Sequence, residues 1–158
     1  MKRGSTLFLK KAVFLMGIPV LALGIYALIW LVHHPFNPDY DHILYPILIG
    51  MYVSMIPYFA ALFQAFQLLN YIDKGQAFSE WSVKALKKIK ICAIIISGLY
   101  VIILPFVYLL AELDDAPGLV LIGMVPIFAS IVIAVFAAVL QRLLQEAIDI
   151  KSENDLTV

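Results

Sequence analysis

Residues 91–111 read ICAIIISGLYVIILPFVYLLA and predict a membrane-spanning helix. These 21 residues carry no charge, and about 20 apolar residues suffice for a helix to cross a bilayer. Three further uncharged stretches, 12–32, 43–69 and 118–140, bring the total to 92 of 158 residues. None of the four alternates apolar and polar residues as a barrel strand does. The sequence therefore predicts an all-α integral membrane protein with four spans, because a helix satisfies its backbone hydrogen bonds within one segment.

The overall composition excludes several classes of protein. Hydrophobic residues make up 63% of the chain and charged residues 14%, and the mean hydropathy is +0.97. Soluble domains contain about 45–50% apolar and about 25% charged residues. The formal net charge is zero, which argues against direct binding to nucleic acid. A soluble enzyme and a disordered chain are excluded as well, and the expected surroundings are the lipid bilayer.

The placement of the basic residues predicts an orientation. The connecting segments are residues 1–11, 33–42, 70–90, 112–117 and 141–158. All 11 Lys and Arg residues lie in the first, third and fifth of these segments. Because Lys and Arg are enriched in cytoplasmic loops, we expect both termini, the long loop and the tail to be cytoplasmic. The expected architecture is one transmembrane domain, a four-helix bundle of two hairpins in the plasma membrane.

The spans themselves contain no ionisable carboxylate, amine or imidazole. Proton relays and most ion-coupled pumps place such groups at membrane depth, so an active transporter is disfavoured. The sequence also offers no nucleophile paired with a base and no phosphate-binding glycine loop, so we expect no enzyme activity and no cofactor. Small residues four apart, such as Gly50 and Ser54, favour helix packing within the bundle, with a homo-oligomer seam as the alternative.

The long loop and the tail carry the least generic residues. Asp73 to Gln76 predict a turn, and Ser79 predicts a helix N-cap with Glu80 in the first turn. The following residues predict a cytoplasmic amphipathic helix before the third span, with Trp81, Ala85, Leu86 and Ile89 on one side. It is either a membrane-surface helix or a docking surface for a cytoplasmic partner. The candidate partner-binding residues are Trp81, Lys84, Lys87, Lys88, Asp155 and Leu156.

Two further groups of residues are candidates for sites. Gln64, Gln67 and Tyr71 share one helix face by their i, i+3, i+7 spacing, and they either line a cytoplasmic vestibule or bond to neighbouring helices. The first outer loop contains all three histidines, and the weak candidates for metal ligands are His33, His34, His42 and Asp39. Their spacing matches no recognised metal motif, and a plain polar turn between helices is the favoured alternative.

Three segments of the chain resemble a known family. They are residues 1–10 (MKRGSTLFLK), 77–90 (AFSEWSVKALKKIK) and 147–158 (AIDIKSENDLTV). On these segments the chain resembles the small bacterial four-helix membrane proteins of domain-of-unknown-function family 2975, the YoaS-like proteins. The resemblance implies a membrane protein without assigned catalytic residues. It also implies a neighbouring gene for a small helix-turn-helix regulator.

The first hypothesis for function is a non-enzymatic membrane protein that binds or sequesters a cytoplasmic regulator. The 78–90 helix and the tail would provide the contacts. The alternative is a small exporter or an immunity-type protein that acts on a hydrophobic or membrane-active compound within the bilayer.

Overall fold

The computed structural model describes residues 3–34 and 41–156, with side chains from Thr6 onward. Within those residues the chain forms four α-helices and no strand. The helices are α1 (Arg3–His33), α2 (Asp41–Asp73), α3 (Glu80–Leu113) and α4 (Gly118–Leu156). Each helix is long and apolar enough to cross a membrane. The all-α fold with four membrane-capable helices is thereby confirmed.

The helices extend well beyond the uncharged stretches. α3 has 34 residues and α4 has 39, which correspond to about 51 Å and 58 Å at 1.5 Å per residue. A bilayer core is only about 30 Å thick. The helices are thus longer than the bilayer core requires. Most of residues 70–90, the predicted loop, are helical as well, and only residues 74–79 form a short connection between α2 and α3. Hydropathy marks where the apolar residues end, whereas the backbone hydrogen-bond ladder continues through the polar residues that follow.

The connection between α2 and α3 has the local structure that its residues predict. Gly75 has a φ of 73°, a left-handed conformation that glycine adopts without strain. Ser79 is the N-cap of α3, and its hydroxyl oxygen accepts a hydrogen bond of 3.4 Å from the backbone N–H of Ser82. Glu80 lies in the first turn, where the helix dipole favours a negative charge. The predicted turn and N-cap are both confirmed.

The helices form a row in chain order. α2 packs on α1 and α3, and α3 packs on α4, whereas α1 contacts neither α3 nor α4 through the residues that the structure describes. Several small side chains are buried in this row, among them Ser54, Ala93, Ser130 and Ala134. Because α2 packs closely on α3 as well, the division of the bundle into two hairpins stays a prediction.

Large apolar side chains lie mainly on the outside of the row. Phe8, Leu15 and Ile56, for example, are each more than 70% exposed. Such exposure is unfavourable in water but not in hydrocarbon, where apolar side chains have no drive to be buried. The small buried core is therefore consistent with helices that pack in lipid.

Candidate functional site

The start of α3 presents a basic and aromatic surface. Trp81 is 60% exposed, and the Nζ atom of Lys84 lies 5.1 Å from the centroid of the Trp81 ring. Lys87 and Lys88 are exposed one turn further along. A cation over an aromatic face is a favourable pair, so Lys84 and Trp81 form one local unit of this surface.

The structure places Trp81 differently from the sequence interpretation. Ser82, Val83, Ala85 and Leu86 are buried, so the face that packs on neighbouring helices is centred near Ser82. A residue advances by about 100° along an α-helix, which leaves Trp81 at the edge of that face. Trp81 is therefore exposed on the surface beside the lysines, whereas Ala85 and Leu86 are buried against neighbouring helices.

The polar end of α4 packs against the start of α3. The Nε2 atom of Gln145 donates hydrogen bonds of 3.2 Å to Glu80 of α3 and to Asp149 of α4 itself. The sequence interpretation treated these two segments separately, and the structure brings them together. We refer to residues 80–90 of α3 and 141–156 of α4 as the two-helix platform.

The candidate partner-binding residues fall into two groups on this platform. Trp81 and its neighbouring lysines form the first group. Asp155 and Leu156 lie ten and eleven residues beyond Gln145, which is about 15–17 Å further along α4. Leu156 is 84% exposed. The end of α4 is thus a separate exposed element that extends past the start of α3.

The predicted polar face of α2 lies partly inside the bundle. Gln64, Gln67 and Tyr71 are all half-buried on α2, and both a vestibule and a packing role stay predictions. At the same end of α2 lies an ion pair that the sequence interpretation missed. The Nζ atom of Lys10 lies 2.8 Å from Oδ2 of Asp73 and 5.4 Å from the centroid of the Phe66 ring. No local pattern could indicate this pair, because its partners are 63 residues apart.

The histidines are tied to the end of α1. The Nδ1 atoms of His33 and His34 lie 3.0 Å and 3.3 Å from the carbonyl oxygen four residues earlier. The ring of His34 also stacks on Trp30, and His42 is exposed at the start of α2. The described residues contain no group of three or more potential metal ligands. Asp39 lies outside the described residues, so the metal site stays a prediction.

A cleft inside the row is the largest feature that sequence reasoning missed. It has a volume of about 760 Å³, and all four helices line it. Its described lining residues include no charged side chain. Within the described residues α1 contacts only α2, and α4 contacts only α3, so no helix contact closes the cleft between α1 and α4. Its position follows from the order of packing, which a single hydropathy pattern does not encode.

The tyrosines in the cleft hold α1 against α2. The hydroxyl of Tyr52 donates a hydrogen bond of 2.7 Å to the carbonyl oxygen of Gly24, and that of Tyr58 donates one of 2.8 Å to Met16. Ser54 donates a hydrogen bond of 2.6 Å to a carbonyl of its own helix. These hydroxyls are already used within the protein, so the cleft wall that they form is effectively apolar.

Known proteins support the membrane character of the chain. The family described as "Protein of unknown function (DUF2975)" matches residues 28–158. The "Uncharacterized membrane protein YoaS" from Bacillus subtilis (strain 168) is 58% identical over 160 residues, covering 100% of this chain and 100% of that protein. No solved structure matches the chain. The resemblance inferred from the three sequence segments is confirmed. The chain is similar over its whole length to a protein that is described as a membrane protein.

Proposed function

The chain belongs to the DUF2975 family of membrane proteins of unknown function, and we propose that it docks a cytoplasmic regulator through its two-helix platform. The role is binding or sequestration, without catalysis. The observation that carries the proposal is the pairing of the polar ends of α3 and α4, joined by the Gln145 to Glu80 hydrogen bond. This pairing places the start of α3 beside the part of α4 from which the exposed tail extends.

The proposal includes an orientation. Both termini and the two-helix platform lie in the cytoplasm, because every lysine and arginine of the chain is on that side of the predicted spans. Short basic segments resist transfer across the membrane, which is why Lys and Arg determine topology. We refer to this side of the bundle as the lysine-rich end.

The length of the helices supports a platform outside the lipid. α4 is about 28 Å longer than the hydrocarbon core that it would cross, and its last seven residues in the structure, 150–156, are all exposed. A soluble protein can therefore reach this part of the chain without entering the bilayer.

The chemistry of the surface indicates the kind of partner. Trp81 offers a large apolar ring, and aromatic residues are enriched among the residues that dominate binding energy. Lys84, Lys87 and Lys88 surround it with positive charge. We therefore expect a partner with an acidic surface next to an apolar pocket. The helix-turn-helix regulator suggested by the family resemblance is the first protein to test.

Retention of the regulator by the purified membrane protein tests this function. The full chain, in a mild detergent, is immobilised and mixed with the helix-turn-helix regulator that the family resemblance implies. We expect the wild type to retain the regulator and Lys87→Ala/Lys88→Ala to lose most of it. Lys11→Ala/Lys74→Ala is the matched control, because these lysines are also exposed but lie outside the platform. No retention by the wild type, or equal retention by both double variants, would overturn the proposal.

The cleft favours a second candidate function, action on a hydrophobic or membrane-active compound as an exporter or immunity-type protein. Its apolar wall and its opening between α1 and α4 suit a compound that arrives through the lipid. A strain without the gene should then become sensitive to a membrane-active compound and regain resistance when the gene is restored. Unchanged sensitivity across a broad panel of such compounds would contradict this candidate.

A further inference from the structure

We propose that the cleft binds one acyl chain of an anionic membrane lipid, with the lipid headgroup at the lysine-rich end of the bundle. This inference goes beyond the docking function, which involves a different surface of the protein. It names a lipid as the ligand of the cleft, where the second candidate function places a membrane-active compound.

The shape of the cleft matches a hydrocarbon chain. Its lining on α1 runs from Val13 to Ala27, which is about 21 Å along the helix axis. The volume of about 760 Å³ over that length gives a mean cross-section of about 36 Å². The space is therefore long and narrow and runs parallel to the helices, which is the direction of acyl chains in a bilayer.

Four of the hydroxyls that line the cleft also favour a hydrocarbon, whereas Tyr26 and Ser130 line it without a described hydrogen bond. Tyr52 and Tyr58 donate their hydroxyl protons to carbonyl groups of α1. The Oη atom of Tyr100 lies 3.2 Å from Oγ of Ser54, so these two hydroxyls are used in a contact with each other. A ligand with polar groups along its length would have to break these bonds, whereas an acyl chain leaves them intact.

The charges next to the cleft indicate an anionic headgroup. Val13 and Ile89 line its end at the lysine-rich side, and the exposed Lys11 and half-buried Lys90 lie close to them in the sequence. Each lysine near an anionic membrane surface contributes about 1 kcal/mol of attraction. A lipid phosphate at this level therefore meets positive charge while its chain lies in the cleft.

Lipid retention by cleft-filling variants tests the proposal. Ala61 lines the cleft, whereas Ala60 is exposed on another face of the same helix, so Ala61→Phe and Ala60→Phe are a matched pair. Purified protein in detergent is titrated with phosphatidylglycerol, and bound lipid is counted by native mass spectrometry. A phenyl ring in the cleft displaces at least two methylenes of the chain, so Ala61→Phe should bind about tenfold more weakly than the wild type. Ala60→Phe should bind like the wild type.

Two further ligands separate the contributions of chain and headgroup. Phosphatidylcholine with the same acyl chains should bind more weakly than phosphatidylglycerol, and glycerol phosphate without chains should not bind. Ala129→Phe, which fills the cleft from an exposed position on α4, repeats the test if Ala61→Phe fails to fold. Equal phosphatidylglycerol binding by the wild type and the filled variants would overturn the proposal, as would binding of glycerol phosphate alone. Phosphatidylcholine binding as strong as that of phosphatidylglycerol would overturn its anionic headgroup.

Discussion

Lys10 of α1 and Asp73 at the end of α2 form an ion pair with 2.8 Å between Nζ and Oδ2, and only 20% and 23% of their side chains are exposed. The pair joins the beginning of the first helix to the end of the second. Because α1 packs on α2 alone among the described helices, this contact is a main attachment of α1 to the rest of the bundle.

Lys10→Ala should weaken that attachment. A half-buried ion pair is stronger than the exposed pairs that contribute about 0–1 kcal/mol, so we expect a loss of about 1–2 kcal/mol in the free energy of unfolding. Unfolding in mixed micelles, followed by circular dichroism, measures the change. Lys11→Ala is the control, since Lys11 is the exposed neighbour and its removal should change stability much less. Equal effects of the two variants would mean that the ion pair does not hold α1 in place.

Tyr52→Phe and Tyr58→Phe should each loosen α1 by removing one hydrogen bond to its backbone. Interhelical hydrogen bonds in membranes contribute about 0.6 kcal/mol on average, so the double variant should lose about 1 kcal/mol. The same unfolding measurement applies. Tyr26→Phe serves as the control, because Tyr26 is exposed and donates no described hydrogen bond. A double variant as stable as Tyr26→Phe would contradict the role of the two hydroxyls.

Gly50→Ala should destabilise the contact between α2 and α3. A Cβ atom at Gly50 would overlap the side chain of Ile103, whereas one at Gly98 would meet no described atom within 4 Å. Overpacking of this kind costs about 1–3 kcal/mol, and Gly98→Ala should instead be neutral or slightly stabilising because alanine favours helix. Ile103→Val in the Gly50→Ala background should restore part of the loss. A Gly50→Ala variant as stable as Gly98→Ala would show that the two helices do not approach this closely.

The sequence predicts much of the fold because its strongest signal is local. The uncharged stretch 91–111 identifies a span without reference to any other segment, and Ser79 and Gly75 determine a cap and a turn from their own chemistry. The packing order of the helices is not local. The Lys10 to Asp73 pair and the cleft depend on which helices are neighbours, and similar apolar faces on all four helices leave that choice open.

The sequence predicts part of the candidate site as well. The lysines of residues 84–88 and the exposed Leu156 are on the surface as their charge and position suggest. The exposure of Trp81 was not predictable, because it depends on α3 burying a face centred near Ser82. The pairing of that segment with the end of α4 was missed as well, since the Gln145 to Glu80 bond joins residues 65 apart.

Single cysteines should report the proposed orientation. In a Cys92→Ser background, Asp114→Cys is placed in the short turn between α3 and α4, and Ser152→Cys in the exposed end of α4. A thiol reagent that cannot cross membranes should label Asp114→Cys in intact cells and Ser152→Cys only after permeabilisation. The reverse pattern would place the two-helix platform outside the cytoplasm and exclude a cytoplasmic regulator as its partner.

The affinity of the regulator for the Trp81→Ala variant tests whether the regulator docks on the two-helix platform. The full chain is reconstituted in nanodiscs, and the Kd of the purified regulator is measured for the wild type, for Trp81→Ala and for Phe136→Ala, which removes an exposed aromatic ring from the apolar part of α4. A central aromatic contact is worth at least about 2 kcal/mol, so Trp81→Ala should raise the Kd by about thirtyfold. Phe136→Ala should leave it unchanged. A Trp81→Ala protein that binds the regulator as tightly as the wild type would contradict docking at the platform.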